Sequence, residues 1–372
     1  MGALVDSSRV VAPRLAARRD EMDRIGRMPA DLAAEVAAAG LMRMLVPSTL
    51  GGPEAHPVEM IESLELLGVA NPSAAWCAMI SSTTSVLAGW LEPGPAAEVF
   101  GDPLGIWGGG FAPTGIAKPT DSGLRVDGRW SFGSGAQNCT WLVGGTIGED
   151  ATFRLCFVPA GDVEIVENWD VVGLRGTGSH DWAVTGAEVD TSLTIPIFDR
   201  TAIATTPLYQ MPIFGLLASG IAAVALGIGR GAIDDLVELA GGKIPTLDSR
   251  RLAASPAVQA EVARHTAGLA AAGAGLRAAA SSAFDEAAAG EPASMDTRAL
   301  LRIAATHAVT TAAGVATAMY TLGGGTSVRN DSPLAGRVRD ALATTQHVMV
   351  APSILEPCGK VLLGLPVDRP DL

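Results

Sequence analysis

VDGRWSFGSGAQNCTWLVGGTIG, residues 126–148, breaks the pattern of everything that precedes it. Up to about residue 100 the chain reads as Ala-rich helices. Here apolar and polar residues alternate at a period of two, with glycines at the turns. Related stretches flank it: GLRVDGRWSF (123–132), TWLVGGTIG (140–148), FRLCFVPAG (153–161), VEIVENWDVVG (163–173) and WAVTGAEVD (182–190). Together they predict a small β-barrel or sandwich over 101–205.

On either side the period returns to that of a helix. ADLAAEVAAAG (30–40) ends on a glycine cap, and NPSAAWCAMISSTTSVLAGWL (71–91) opens on an Asn-Pro-Ser cap. From Pro212 onward, helices are expected at 213–241, 255–289, 296–321 and 333–352, long Ala-rich segments with short joints that suggest a bundle. The layout is therefore α+β and multi-domain: an N-terminal α-helical domain (1–100), a central β-barrel (101–205) and a C-terminal four-helix bundle (206–372). Strands do not alternate with helices, which excludes a continuous βαβ winding.

With 26 Lys and Arg against 39 Asp and Glu, the net charge of −13 argues against nucleic acid or an anionic membrane as partner. At 48% hydrophobic and 17% charged residues the chain can bury a large core. Cys77, Cys139, Cys156 and Cys358 form no C-x-x-C pair and no metal spacing, which fits a reduced, cytoplasmic protein. Residues 1–30 mix arginines with acids and do not read as a signal peptide. The uncharged run 201–229 is broken by Pro207 and Pro212, so what remains reads as a buried helix.

Several motifs have a plain and a functional reading. GIGRGA (227–232) matches a dinucleotide fingerprint by letter, but Ala-rich helix and not a strand precedes it, so close helix packing explains it better. GGGTS (323–327) follows a long helix and lacks the Lys of a P-loop. It reads as a cap and turn whose amides, Gly324 and Gly325 included, could contact a phosphate. Ser134 stands at a strand end before Gly135, and GLRGTGSHDW (173–182) sets Thr177, Ser179 and His180 among glycines. Small and hydroxyl-bearing residues let backbone approach a flat ring while offering donors. Five of the seven tryptophans (107, 130, 141, 169, 182) lie in the β-rich region, where they could line a planar ligand or fill a β core. GRVRDALATTQHVMVAP (336–352) reads as one helix with Asp340 and His347 on one face, the plain account of His347 being a core histidine.

In order along the chain, GLMRMLVPSTLGGPE, NPSAAW, VDGRWSFGSG, NWDVVGLRGTGSHDW, GGGTSV and RVRD resemble the acyl-CoA dehydrogenase superfamily over essentially the whole length. That resemblance implies the three-segment architecture above, a tetramer built as a dimer of dimers, and a flavin between β-domain and bundle. The dehydrogenases commonly carry a catalytic Glu nine residues after the Arg of R-D; here the position is Val348, which cannot accept an α-proton. Their Thr-Glu-Pro-Gly loop is also missing, GGGFAPTGIAKP (108–119) standing in its place. The R-D-x6-H pattern instead resembles the two-component, flavin-dependent monooxygenase branch.

By that resemblance a separate flavin reductase supplies reduced FMN or reduced FAD, and the oxygenase uses it with O2 through a C4a-hydroperoxide to oxygenate a small aromatic, polyketide or heterocyclic substrate. Ser134 would contact flavin near N5 and O4. Thr177 and Ser179 would contact the ring or ribityl chain, with Gly176 and Gly178 permitting close approach. Arg250 or Arg251 would grip phosphate. His347 would sit near the reacting carbon, hydrogen-bonding the oxygen or taking a proton. Trp76, Ser81, Thr84 and His347 would line the substrate pocket, Thr84 occupying the place of a second histidine found in several hydroxylases. The alternatives are an acyl-CoA dehydrogenase with a relocated base, or a non-redox member of the fold.

Overall fold

The computed structural model describes residues 2–149, 151–198, 201–246 and 248–369. Packing divides the chain into two compact units: Met1–Met60, Trp76–Val171 and Arg175–Gln210 form one, and Ile61–Ala75, Val172–Leu174 and Met211–Leu372 the other. The transitions of secondary structure fall close to residues 100 and 205, yet the N-terminal helices and the sheet pack as a single unit.

The first unit begins with α1 (Ala3–Ala17), α2 (Arg19–Ile25) and α3 (Ala30–Ala38), whose Leu15, Met22, Leu32 and Val36 are fully buried. The helices α4 (Pro57–Ala70) and α5 (Pro72–Ser85) each cross from one unit to the other along the chain, and α6 (Pro93–Phe100) follows. The expected Asn71 cap is present, its Oδ1 accepting from the Ala74 amide at 3.1 Å.

One seven-stranded sheet completes the unit: β1 (Trp107–Pro119), β2 (Leu124–Gly133), β3 (Trp141–Gly148), β4 (Phe153–Pro159), β5 (Glu164–Val166), β6 (His180–Val189) and β7 (Thr194–Ile195). Its order is β5-β6-β2-β1-β3-β4-β7, antiparallel except where β1 runs parallel to β3. β1 is not among the strands expected from the sequence, where GGGFAPTGIAKP only stands in place of the dehydrogenases' Thr-Glu-Pro-Gly loop. It is a strand because β2 and β3 pair with it from both sides, its register slipping around Pro113 where a ladder donor is lost.

The tryptophans explain the glycines. Trp107, Trp130 and Trp182 are buried, with Trp130 and Trp182 stacked at 4.3 Å between ring centroids. A Cβ on Gly115, Gly128 or Gly144 would lie 2.3, 2.5 or 2.6 Å from the Trp130 indole. Three of the five are therefore core residues and not a ligand lining.

The second unit is helical: after the short α7 (Pro207–Gln210) that closes the first unit come α8 (Ile213–Gly242), α9 (Pro256–Ala288), α10 (Met295–Gly323), α11 (Pro333–Thr344) and α12 (Leu355–Leu362). α8 is long and apolar enough to cross a membrane, but 83% of its most apolar window is buried within the protein. GIGRGA lies inside it and serves packing: a Cβ on Gly227 would stand 2.3 Å from the Glu65 carbonyl of α4. GGGTS caps α10, with Gly324 at φ +59.

The helix expected over 333–352 stops at Thr344. The Thr344 and Thr345 hydroxyls donate back to the carbonyls of Ala341 and Leu342, both at 2.7 Å, and a 3-10 turn over Val348–Val350 follows. Asp340 and His347 therefore do not share a helix face. Asp340 is buried and its Oδ1 accepts from the Leu174 amide at 2.7 Å. The adjoining Gly173 lies so close that a Cβ there would stand 2.1 Å from the Arg339 carbonyl. Gly173→Ala is expected to cost roughly 1–3 kcal/mol, measured as a lower urea midpoint at unchanged m-value.

Candidate active site

The hydroxyl residues singled out in the sequence come together in the first unit. β2 ends in Phe132 and Gly133, and the chain then turns sharply. Phe132 has φ +65, a conformation unfavourable for a side chain this large, and its ring is 70% exposed. Ser134 follows, buried at the turn. Its Oγ accepts from the Trp76 indole N–H at 3.1 Å and shares a hydrogen bond with Ser179 Oγ at 2.8 Å. Ser179 Oγ in turn bonds Thr177 Oγ1 at 2.7 Å.

Trp76, Ser134, Ser179 and Thr177 thus form one buried chain of polar atoms. Its backbone is tied as well: the Thr177 carbonyl accepts from the Gly135 amide at 2.9 Å and the Cys77 thiol at 3.7 Å. Gly176 and Thr177 lie in a buried 3-10 turn, Arg175–Thr177. Gly178 combines φ +54 with a neighbour, Gln137 Oε1, that would stand 2.9 Å from any Cβ, so both conformation and space call for glycine there.

This chain contains no carboxylate, imidazole or amine. At neutral pH its hydroxyls donate and accept hydrogen bonds without ionising. Burial pushes the neighbouring Cys77 thiol up to about 12, which keeps it a packing residue and not a nucleophile. Small residues, buried hydroxyl donors and an exposed aromatic ring two residues away suit the polar edge and flat face of a conjugated heterocycle such as flavin.

The other proposed pocket residues behave differently. Ser81 is fully buried; its Oγ donates to the Met42 carbonyl at 2.7 Å and accepts from the Trp107 amide at 3.0 Å. Its donor and one acceptor site are committed to backbone, so it braces α5 against the sheet. Thr84 is buried on the same helix. His180 is an anchor, its Nδ1 accepting from the amides of Asn168 and Trp169 at 2.9 and 3.0 Å.

In the second unit, Arg250 and Arg251 lie exposed in the loop before α9. Arg250 approaches Asp248 at 3.6 Å, whereas Arg251 makes no ion pair among the described residues. Gly324 and Gly325 form the exposed turn after α10, beside the Lys243 ammonium that donates to the Gly323 carbonyl. His347 caps the turn after α11, its Nδ1 accepting from the Met349 amide at 3.2 Å. Arg302 of α10, itself buried, donates through Nη2 to the Met349 carbonyl at 3.0 Å. Burial, and then the Arg302 charge, push His347 down to about 4.

Two of these residues escaped the sequence reading. Phe132 left no signal, because a positive φ is not written in the letters of a strand. Arg302 did leave one: it is the lone Lys, Arg, Asp or Glu between Ala299 and Tyr320, a stretch made mostly of small and apolar residues.

Residues 5–92 match the acyl-CoA dehydrogenase N-terminal domain, and 219–352 match the acyl-CoA dehydrogenase C-terminal domain. The chain belongs to the acyl-CoA dehydrogenase superfamily, within its flavin-dependent monooxygenase branch. It is 33% identical to an indole-3-acetate monooxygenase of Pseudomonas putida over 94% of this chain and 90% of that protein. It is 26% identical to the flavin-dependent monooxygenase oxygenase subunit HsaA of Mycobacterium tuberculosis over 90% of this chain and 88% of that one. The fold superposes on XiaF from Streptomyces, solved with FADH2 and glycerol, with a TM-score of 0.92 at 24% identity, covering 99% of this chain and 97% of XiaF.

Two outcomes follow from this geometry. Ser134→Ala removes the hydroxyl that accepts from the buried Trp76 indole N–H and should cost roughly 1–3 kcal/mol of stability in urea unfolding. The lowered His347 means that, between about pH 6.5 and 4, the unfolded chain binds a proton there that the folded chain does not. Stability should therefore fall as pH drops through that window, and His347→Gln should flatten this part of the stability–pH curve.

Proposed function

We propose that this chain is the oxygenase component of a two-component monooxygenase, using reduced FMN or reduced FAD from a separate reductase, together with O2, to oxygenate a small aromatic, polyketide or heterocyclic molecule. The observation that carries this reading is the 347–349 turn. A dehydrogenase of this superfamily needs a carboxylate to take the α-proton of a thioester; here Val348 stands at the corresponding position, 71% exposed, with a neutral histidine beside it.

Bound reduced flavin supplies the two electrons that activate O2, one oxygen atom going to substrate and the other to water. The residues of this chain do the rest. Ser134 directs a hydroxyl to the polar edge of the ring. Thr177 and Ser179 hold Ser134 in place and contact the ring or ribityl chain, while Gly176 and Gly178 keep the approach open. Arg251 is the better candidate for phosphate, since Arg250 is already drawn to Asp248, and the Gly324 and Gly325 amides add donors. Trp76, Thr84 and His347 contribute to the substrate side. A cytoplasmic location is in keeping with four buried cysteines, none of them in a disulfide.

A homotetramer accompanies this reading. The exposed face of α9 carries Ala267, Ala271, Ala274, Gly275, Ala278 and Ser282, with no charge from Ala267 to Leu276. A 400 Å³ groove lined by Leu300, Ile303 and His307 runs beside it between α9 and α10. A surface so poor in charge suits burial against another copy. Light scattering should report a tetramer, and Ala278→Arg should reduce it to smaller species.

The central test mixes photoreduced flavin, O2 and protein. Wild type should retard release of H2O2 relative to free flavin and pass oxygen to an indole or phenol from a panel. Ser134→Ala should lose on the order of 10²-fold in productive turnover, with H2O2 appearing instead. Unretarded H2O2 release by the wild type, or bleaching of a bound yellow flavin by an acyl-CoA, would overturn the proposal.

A further inference from the structure

The turn after α11 contains an arrangement that the proposed function does not by itself require. His347 Nδ1 accepts from the Met349 amide at 3.2 Å. A neutral imidazole has one donor and one acceptor nitrogen, so accepting at Nδ1 leaves the proton on Nε2. The same Met349 is gripped from the other side. Arg302 Nη2 donates to its carbonyl at 3.0 Å, and Nη1 lies 3.9 Å from its sulfur. One residue thus has its amide on the histidine and its carbonyl and thioether on a guanidinium.

We propose that Arg302 is a positioning residue for oxygen transfer, acting through Met349 to fix His347 as the Nε2–H tautomer, so that His347 works as a hydrogen-bond donor and not as a base. The inference rests on the oxygenase reading for what that donor serves, but not for the state of the ring. Removing Arg302 releases the Met349 carbonyl, loosens the amide that holds Nδ1 and withdraws the nearby positive charge.

The charged groups on the neighbouring elements are as follows among the described residues. α8, which also packs against the turn, has no Lys, Arg, Asp, Glu or His from Ile213 to Gly229. On α10, which packs there too, Arg302 is preceded by the exposed Asp296 and by Arg298, whose Nε donates to the Ala293 carbonyl at 3.1 Å, and is followed by the exposed His307. On α11, Asp340 is engaged by the Leu174 amide and Arg337 by Asp235, and Arg339 is half-buried. The guanidinium and burial both favour the neutral ring, so the donor state persists across the pH range in which an ordinary histidine switches near ~6.5.

Imidazole ¹⁵N spectra of the full chain test this, with His347→Gln identifying the resonances. The wild-type signals should show the Nε2–H tautomer and should not titrate from about pH 5.5 to 8.5, on either side of the ordinary ~6.5. In Arg302→Met the midpoint should move up towards that ordinary value. In Arg302→Lys, which keeps a charge but loses the fork, it should stay low while the fraction of consumed oxygen reaching product falls. A wild-type Nδ1–H tautomer, or titration near ~6.5, would overturn the inference even if Arg302→Met does not fold. These spectra read the ring without flavin or substrate, so failure of the oxygenase reading would show separately, as unretarded H2O2 release with the spectra unchanged.

Discussion

A single guanidinium organises the helical unit. Arg337 is buried, and its Nε donates to Asp235 of α8 at 2.9 Å while Nη1 donates to the Gly68 carbonyl of α4 at 3.2 Å. It fits because Gly231 has no side chain: a Cβ there would stand 2.3 Å from the guanidinium carbon. Three helices are thereby tied by one residue of the RVRD motif. A buried pair of this kind adds little over a well-packed apolar substitute, but losing one partner leaves an uncompensated charge, at a cost of about 3–5 kcal/mol. The motif is structural first. Asp340, its last residue, takes the Leu174 amide and so holds the short 172–174 segment on α11.

The β-rich unit solves a different problem. Its buried polar chain joins residues 76, 134, 177 and 179, far apart in sequence, through hydroxyls that can each both donate and accept. Because no member ionises, the chain can stay buried without a counter-charge, and its end can present a donor to a neutral or anionic ligand edge. Trp76 Nε1 can only donate, which gives the series a starting direction. The strained Phe132 backbone is held by the β2 pairing on one side and this network on the other.

How much of this could be read from the letters depended on whether a residue's partner was local. Helix periodicity located α8 to α10 closely, and segments that alternate or run apolar between turn residues located β2, β3, β4 and β6. β1 was missed because Gly and Pro normally argue against a strand, and only pairing on both sides overrides that. The helix end at Thr344 was missed because Thr is tolerated within helices; its hydroxyl bonding back to Ala341 is a choice of rotamer. For the site, hydroxyls next to glycines marked Ser134, Thr177 and Ser179, but nothing showed that Ser81 would be engaged by Met42 and Trp107. Arg302 was legible in principle, as the one Lys, Arg, Asp or Glu of the stretch 299–320.

Histidine use across the chain sharpens the meaning of the 347 turn. In His56, His180 and His347 alike, Nδ1 accepts a backbone amide one or more residues away: Val58 at 3.2 Å, Asn168 and Trp169, and Met349. Capping by Nδ1 is therefore a general structural habit of this protein, and on its own it gives His347 no special standing. What marks His347 is a combination: a buried guanidinium of α10 bonded to the same turn, and a ring that burial and that charge hold neutral below its ordinary titration. A histidine that serves only as a cap needs neither. Had the helix continued to residue 352, the Met349 amide would have been bonded to the carbonyl four residues back, and Nδ1 would have lost its partner. The early stop at Thr344 is thus the local event that converts a greasy helix terminus into an oriented donor.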